Sequence, residues 1–234
     1  MAAVISTSQG AHAGALVNPK ELVVVGSGEH AFVVVDAART RPDLWRMAGY
    51  TSLTSAGPTT RMSIEHLGDD DTFRARLTAT PADDRPTLVL GFGGAPSPRR
   101  AVAAGFGTLA EWAVIVHVTA WVSPEAIVGP GSVVLAGAVI NSGARVGAHC
   151  IVNSSAVIEH DVVIGAGTHV APGALIGGGT HVGEDAAIGL GAAIRDHITV
   201  GDRVIVGMGA VVVEDVADDI MVLGVPARER GGAI

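Results

Sequence analysis

Residues 122–170 read VSPEAI VGPGSV VLAGAV INSGAR VGAHCI VNSSAV IEHDVV IGAGTH V, and an aliphatic residue opens every block of six. The series runs on without a slip as Val122, Val128, Val134, Ile140, Val146, Val152, Ile158, Ile164, Val170, Ile176, Val182, Ile188, Ile194, Val200, Val206 and Val212, sixteen β-branched side chains at one spacing. A fixed period of this kind is an internal repeat and takes precedence over element-by-element reading. Four places after each aliphatic the residue is small or aliphatic, from Ala126 and Ser132 through Cys150 and Thr168 to Val216. The place directly after it is Gly at 129, 147, 165, 177, 183, 189, 201 and 207. A residue that accepts positive φ there predicts a sharp corner.

A helix needs its apolar stripe at 3.6 residues and a half-buried strand at two, so neither alone yields a strict six. Short strands separated by corners do. Three hexads make one triangular coil of about 18 residues, stacked on the next at roughly 4.8 Å, and the whole array predicts about five coils. The β-branched residues point into a narrow prism where only small neighbours fit. Cys150 takes one of those inward places and reads as a buried structural thiol.

Upstream, residues 22–40 (LVVVGSGEHAFVVVDAART) read as a buried strand, a glycine turn at Gly26-Ser27-Gly28, and a helix carrying Val33, Val34 and Ala37. A second strand is expected near 48–53, another at 87–94, and a helix from after Ser97-Pro98 to Gly105. The turn either aims backbone N–H groups at an anion or simply connects strand to helix tightly. There is room for one mononucleotide half only, and Ala48-Gly49-Tyr50-Thr51-Ser52 supplies no acid to hold a ribose. Nicotinamide oxidoreduction is therefore a poor reading.

Composition bounds the partners. The 234 residues carry 15 Lys+Arg against 23 Asp+Glu, a formal charge of −8, with only 4 Phe, 3 Trp and 1 Tyr. That leaves neither a basic face nor a stacking platform for nucleic acid. The single Cys forms no intramolecular disulfide, which fits a reducing cytosol. No apolar run approaches the length of a membrane span. The expectation is a cytoplasmic protein with no membrane partner and a flexible leader over residues 1–20.

The hexads resemble the hexapeptide-repeat acyltransferases. The order of parts, a small α/β unit followed directly by the array, resembles their sugar-modifying members: N-acetyltransferases of nucleotide-linked 4-amino-4,6-dideoxy sugars and sialic acid O-acetyltransferase-like proteins. The resemblance implies an α/β plus all-β chain, with a Rossmann-like half-domain over 21–106 that binds the acceptor. A left-handed parallel β-helix with a C-terminal tail follows over 107–234 and binds acyl-CoA. It further implies a homotrimer with acetyl-CoA in the clefts between prisms, and no metal. In such proteins the turn commonly reads G-x-G-G-H-x-K-V and binds the nucleotide diphosphate of the sugar. Here Gly26, Ser27, Gly28, Glu29 and His30 hold those places, with Glu29 for a Gly and Phe32 for the Lys.

Acyl transfer from a thioester to an amine needs a base of near-neutral pKa, a donor for the developing oxyanion, and two aligned substrates. The array offers His149, His160, His169, His181 and His197. The stretch Asn153 to Asp161, NSSAVIEHD, resembles the family's N-x-x-A-x-I-E-H-[DE] stretch, which makes His160 the general base and Asp161 the carboxylate that orients it. Sequence neighbours normally face opposite sides of a strand, so this pair requires a corner. The run Gly165 to Ala174 resembles IGxxxHIAPGA and sets His169, with Asn153, against the acyl-CoA. The matching oxyanion donor is the amide of Gly178. Gly224-Val225-Pro226-Ala227-Arg228 resembles the G-x-P-A-[KR] segment that lies along CoA, with Arg228 near a phosphate.

Two readings of another class stand beside this one. γ-Type carbonic anhydrases share the β-helix and bind metal, but they carry an H-x4-H pair and no two array histidines are so spaced. A non-catalytic trimeric scaffold with a ligand-sensing first domain is the other, and an intact Glu159-His160-Asp161 stretch argues against it.

Overall fold

The computed structural model describes residues 18–54, 63–93 and 96–230. Its N-terminal unit is organised around β1 (Lys20–Val25), flanked by β2 (Trp45–Thr51) and β3 (Thr87–Leu90), with β4 (Glu111–Trp112) beyond β3, all parallel. Alternate residues of β1 serve opposite layers. Leu22 and Val24 pack with Val34, Val35 and Ala38 of α1 (Glu29–Arg39). Val23 and Val25 pack with Phe73 and Leu77 of α2 (Asp70–Ala79) and Phe106 of α3 (Pro96–Phe106). A parallel strand covered on both faces must be apolar throughout, which is why VVV is legible as β1. The helix α2 was not foreseen: only Phe73 and Leu77 are buried in it, and its start is marked by Asp69, which accepts the Thr72 N–H at 2.7 Å. Lys20 already belongs to β1, while residues 1–17 of the expected leader lie outside the described residues.

From Ile115 the chain winds into a left-handed parallel β-helix of about six turns, built from two-residue strands stacked in three sheets. The docked face begins with Ile115–Val116, Val133–Val134, Ile151–Val152 and His169–Val170. The apolar face runs from Trp121–Val122 to Val211–Val212, and the third face from Ile127–Val128 to Thr199–Val200. The coil is longer than the hexad series because it starts one strand earlier, at Ile115, and gains a last rung at Met221–Leu223. Ala113, Ile115, Val133 and Leu135 share one core with α1, so the N-terminal unit sits on the docked face.

The repeat-opening aliphatics and the small residues four places on form a single interior. Its hydroxyls are satisfied by the next coil: Ser132, Thr168 and Thr180 donate to the carbonyls of Gly147, Gly183 and Arg195 at 2.8, 2.8 and 2.9 Å. The corners correct the sequence reading in one respect. Left-handed φ falls two residues beyond the expected glycines, at Gly131, Gly167 and Gly179 and also at His149, Asp161 and His197. The glycine after the aliphatic instead permits stacking, since a Cβ on Gly129 or Gly147 would lie 2.6 Å from the backbone of the next coil.

Candidate active site

The start of α1 opens onto a cleft. Gly26 takes φ 103, and a side chain on it would run into the Phe92 ring. Ser27 Oγ donates to Ser52 Oγ at 2.7 Å. Gly28 begins α1 without a side-chain cap, and a Cβ there would meet nothing within 4 Å. The cleft, about 750 Å³, is lined by Gly28, Glu29, His30 and Phe92 from the N-terminal unit and by Asn153 and His169 from the coil. The glycine turn and two of the residues assigned to acyl-CoA thus share one space within a single chain.

In that cleft Asn153 Nδ2 lies 3.1 Å from His169 Nε2. Burial first, then the nearby Arg99 charge, push both His169 and His30 down to about 4, so both rings are neutral at neutral pH. Arg99 of α3 is fully buried and donates Nη2–H to the Gly167 carbonyl, two residues before His169. Its neighbour Arg100 reaches Glu184 Oε2 and Asp185 Oδ2, each at 2.7 Å. Close by, the Trp112 and His149 rings meet edge to face at 4.9 Å. The sequence reading missed this clamp. Its only signal is an Arg99-Arg100 pair and a Glu184-Asp185 pair, 84 residues apart, that topology alone connects.

His160 and Asp161 lie elsewhere, at the prism edge between the apolar and third faces, between strands Val157–Ile158 and Val163–Ile164. That edge is opposite the docked face. The corner demanded by the sequence is present: Asp161 has φ 57, and its Oδ2 accepts from His160 Nδ1 at 3.0 Å. Nε2 is thereby left as the basic nitrogen. The ring rests over Gly178, where a Cβ would stand 2.6 Å from Nε2. The two side chains are 59% and 72% exposed, so the pair is assembled but open to solvent.

The C-terminal segment closes the last coil. Gly224 O accepts the Val211 N–H at 3.0 Å and Ala227 N–H donates to Val211 O at 2.7 Å. Pro226 follows a cis bond, and Arg228 is exposed. Below it, the edge between docked and apolar faces carries Ser154, Pro172, Leu190 and Met208, one per coil. Leu190, Met208 and Val225 are 55%, 77% and 73% exposed. On the apolar face the outward residues are Trp121, Val139, Val157, Leu175, Ala193 and Val211, apolar without exception, with Trp121 and Leu175 half exposed. Cys150 is buried with Sγ 3.2 Å from the Gly165 carbonyl, and burial pushes its thiol up to about 12. A thiol so placed is no nucleophile at neutral pH. Among the described residues no group of three His, Cys, Asp or Glu stands ready for a metal, and no helix is long and apolar enough to cross a membrane.

Comparison with known proteins gives the fold its relatives. The family model for bacterial transferase hexapeptide (six repeats) matches residues 143–178. The acetyltransferase domain of PglB from Neisseria gonorrhoeae, solved in complex with acetyl coenzyme A, is 31% identical with a TM-score of 0.81, over 91% of this chain and 100% of that one. PerB from Caulobacter crescentus, solved in complex with CoA and GDP-perosamine, is 30% identical with a TM-score of 0.81, over 90% of this chain and 97% of that one. WeeI from Acinetobacter baumannii, at 23% identity and a TM-score of 0.77 over 89% of this chain and 99% of that one, shares the fold. None of the curated proteins matches the chain.

Proposed function

The chain belongs to the hexapeptide-repeat sugar acyltransferase family and is an acyltransferase, and from that premise we propose that it acetylates the amino group of a nucleotide-linked 4-amino sugar, with acetyl-CoA as donor and a homotrimer as the working unit. The observation that carries this reading is the His160–Asp161 pair seated over Gly178. In the reaction, the amine attacks the thioester carbonyl and His160 Nε2 takes its proton, while Asp161 stabilises the imidazolium through Nδ1–H. The Gly178 N–H receives the oxyanion. Collapse of the tetrahedral intermediate breaks the C–S bond, and the departing thiolate is protonated from His160.

The acceptor belongs in the cleft at Gly26, Ser27, Gly28, Glu29 and His30; PerB, which shares this architecture, was solved with GDP-perosamine. Acetyl-CoA belongs along the edge that rises from Asn153 and His169. Three rungs of roughly 4.8 Å separate Ser154 from Met208, about 14 Å, a span suited to a pantetheine arm. Gly224, Pro226, Ala227 and Arg228 stand at its far end, where a guanidinium suits a CoA phosphate.

Base and cleft lie on different edges of one prism, and the apolar face lies between those edges. A cyclic assembly about an axis parallel to the prisms, packed through the apolar faces, brings unlike edges together. It sets His160 of one copy against the cleft of the next and removes Trp121 and Leu175 from water. The test is release of free CoA thiol from acetyl-CoA across UDP-, GDP- and dTDP-linked 4-amino sugars, beside analogues with hydroxyl in place of the amine. Release with an amino sugar alone is the expected result. Release with only the hydroxyl analogues would overturn amine transfer in favour of a sugar O-acetyltransferase.

A further inference from the structure

The hydrogen bonds around Asn153 fix more than its own position. Asn153 Oδ1 accepts the Ser154 N–H at 2.8 Å, which turns its Nδ2 towards His169 Nε2 at 3.1 Å. An amide nitrogen only donates, so Nε2 must accept, and the one proton of the neutral ring sits on Nδ1. A second proton on Nε2 would break that bond. It would also add a cation close to Arg99, which is fully buried, has its guanidinium tied to the Gly167 carbonyl, and has little water to screen it. Among the described residues, Arg99 of α3 and His30 of α1 act on the His169 charge, and Glu29 of α1 lines the same cleft.

We propose that Asn153 and Arg99 hold the His169 imidazole neutral in its Nδ1–H tautomer, making it a fixed hydrogen-bond donor of the cleft. Arg99 is a positioning residue in this scheme, acting on the coil from the N-terminal unit. Burial first and the Arg99 charge second push His169 down to about 4, which keeps the ring neutral as the lock requires. Resting on the acetyl-transfer reading above, the Nδ1–H is aimed at the thioester carbonyl. The two histidines then divide the work: His160 moves the proton, and His169 donates a hydrogen bond without ever becoming a competing base.

The tautomer is read without substrate, from long-range proton–nitrogen NMR of the full chain labelled at histidine nitrogen, with His169→Gln identifying the signal. The wild type should show protonated Nδ1 and bare Nε2 throughout the neutral range. Asn153→Asp replaces the donor by an acceptor, so the proton should move to Nε2 or the ring should become an imidazolium near neutrality. Arg99→Met should raise the proton affinity of His169 by tenfold or more, an effect on the order of one pH unit; should that variant not fold, Asn153→Asp decides alone. An Nε2–H tautomer or an imidazolium in the wild type at pH 7, or an unchanged tautomer in Asn153→Asp, overturns the lock. Turnover separates the lock from its use. Where Asn153→Asp moves the proton to Nε2 it removes the donor and should lower kcat by about tenfold or more with acceptor KM preserved, and a switched tautomer with unchanged kcat would overturn the assignment of the donor to the thioester.

Discussion

His160 and His169 are nine residues apart in the chain and opposite in circumstance. His169 is enclosed at the seam between the two units, with Asn153 beside it and Arg99 behind. His160 stands on the far edge of the prism, its ring bonded to its neighbour Asp161. The seam is finished within one chain, because α1, α3 and the docked face all contribute to it. The far edge holds the proposed base, with nothing opposite it among the described residues. An apolar face between the two supplies the surface on which a second copy can seat, so the difference itself points to a site completed by assembly.

The contrast breaks most visibly at the base. His160→Asn should lower kcat by about 10²–10⁴-fold with both KM values and the oligomer nearly unchanged. Gly178→Ala should cost a comparable factor by lifting the ring from its seat, since the new Cβ would stand 2.6 Å from Nε2. Steady-state kinetics with a native-mass measurement checks both. At the other pole, Gly28→Trp sends its bulk into the cleft from a Cβ that meets nothing within 4 Å, and should raise the acceptor KM by roughly tenfold or more while leaving CoA affinity alone. Equal loss of both affinities would mean that the cleft does not belong to the acceptor.

The seam should also announce itself in acid. His30, His149 and His169 are each held at about 4 by burial and by nearby arginines, whereas in the unfolded chain they titrate near 6.5. The unfolded state therefore binds more protons between those values. Stability should be flat above about pH 6.5 and fall as pH drops towards about 4, by up to about three protons' worth of slope. His149→Asn, tolerated at a φ of 56, should remove about a third of that slope in a pH series of thermal midpoints. A slope unchanged in this variant would mean that His149 is not buried neutral. The smallest effect expected is that of Cys150→Ala, which should keep kcat within a few-fold, because the thiol is interior and protonated; an acylated Cys150 would contradict direct attack.

The coil was legible because its determinants are local and repeated: a β-branched residue every sixth place and a small one four places on. Even there the reason given for the glycines was wrong in kind. Gly129 and Gly147 are required by the backbone of the next coil, a contact 18 or more residues away that no local propensity encodes. The Glu159-His160-Asp161 stretch was legible as a motif, and the structure supplied the corner that lets His160 and Asp161, the pair proposed as the base, meet. Arg99 was not legible: an arginine in a helix reads as a solvated side chain until α3 is known to pack on the Gly167 corner. The placement of His160 away from the cleft was equally hidden, because face and edge follow from register in the stacked coil.

The central claim, that base and cleft of one site come from different copies, is tested most directly by mixing two impaired variants and assaying them at an acceptor concentration well below the wild-type KM. His160→Asn lacks the base and Gly28→Trp lacks the cleft. Dissociated and reassembled together in equal amounts, they should recover about a quarter of wild-type activity, since a site is whole wherever an intact His160 faces a neighbour's intact Gly28. Mixed assemblies no more active than the two variants apart would show that each chain carries its own complete site, and would contradict the account.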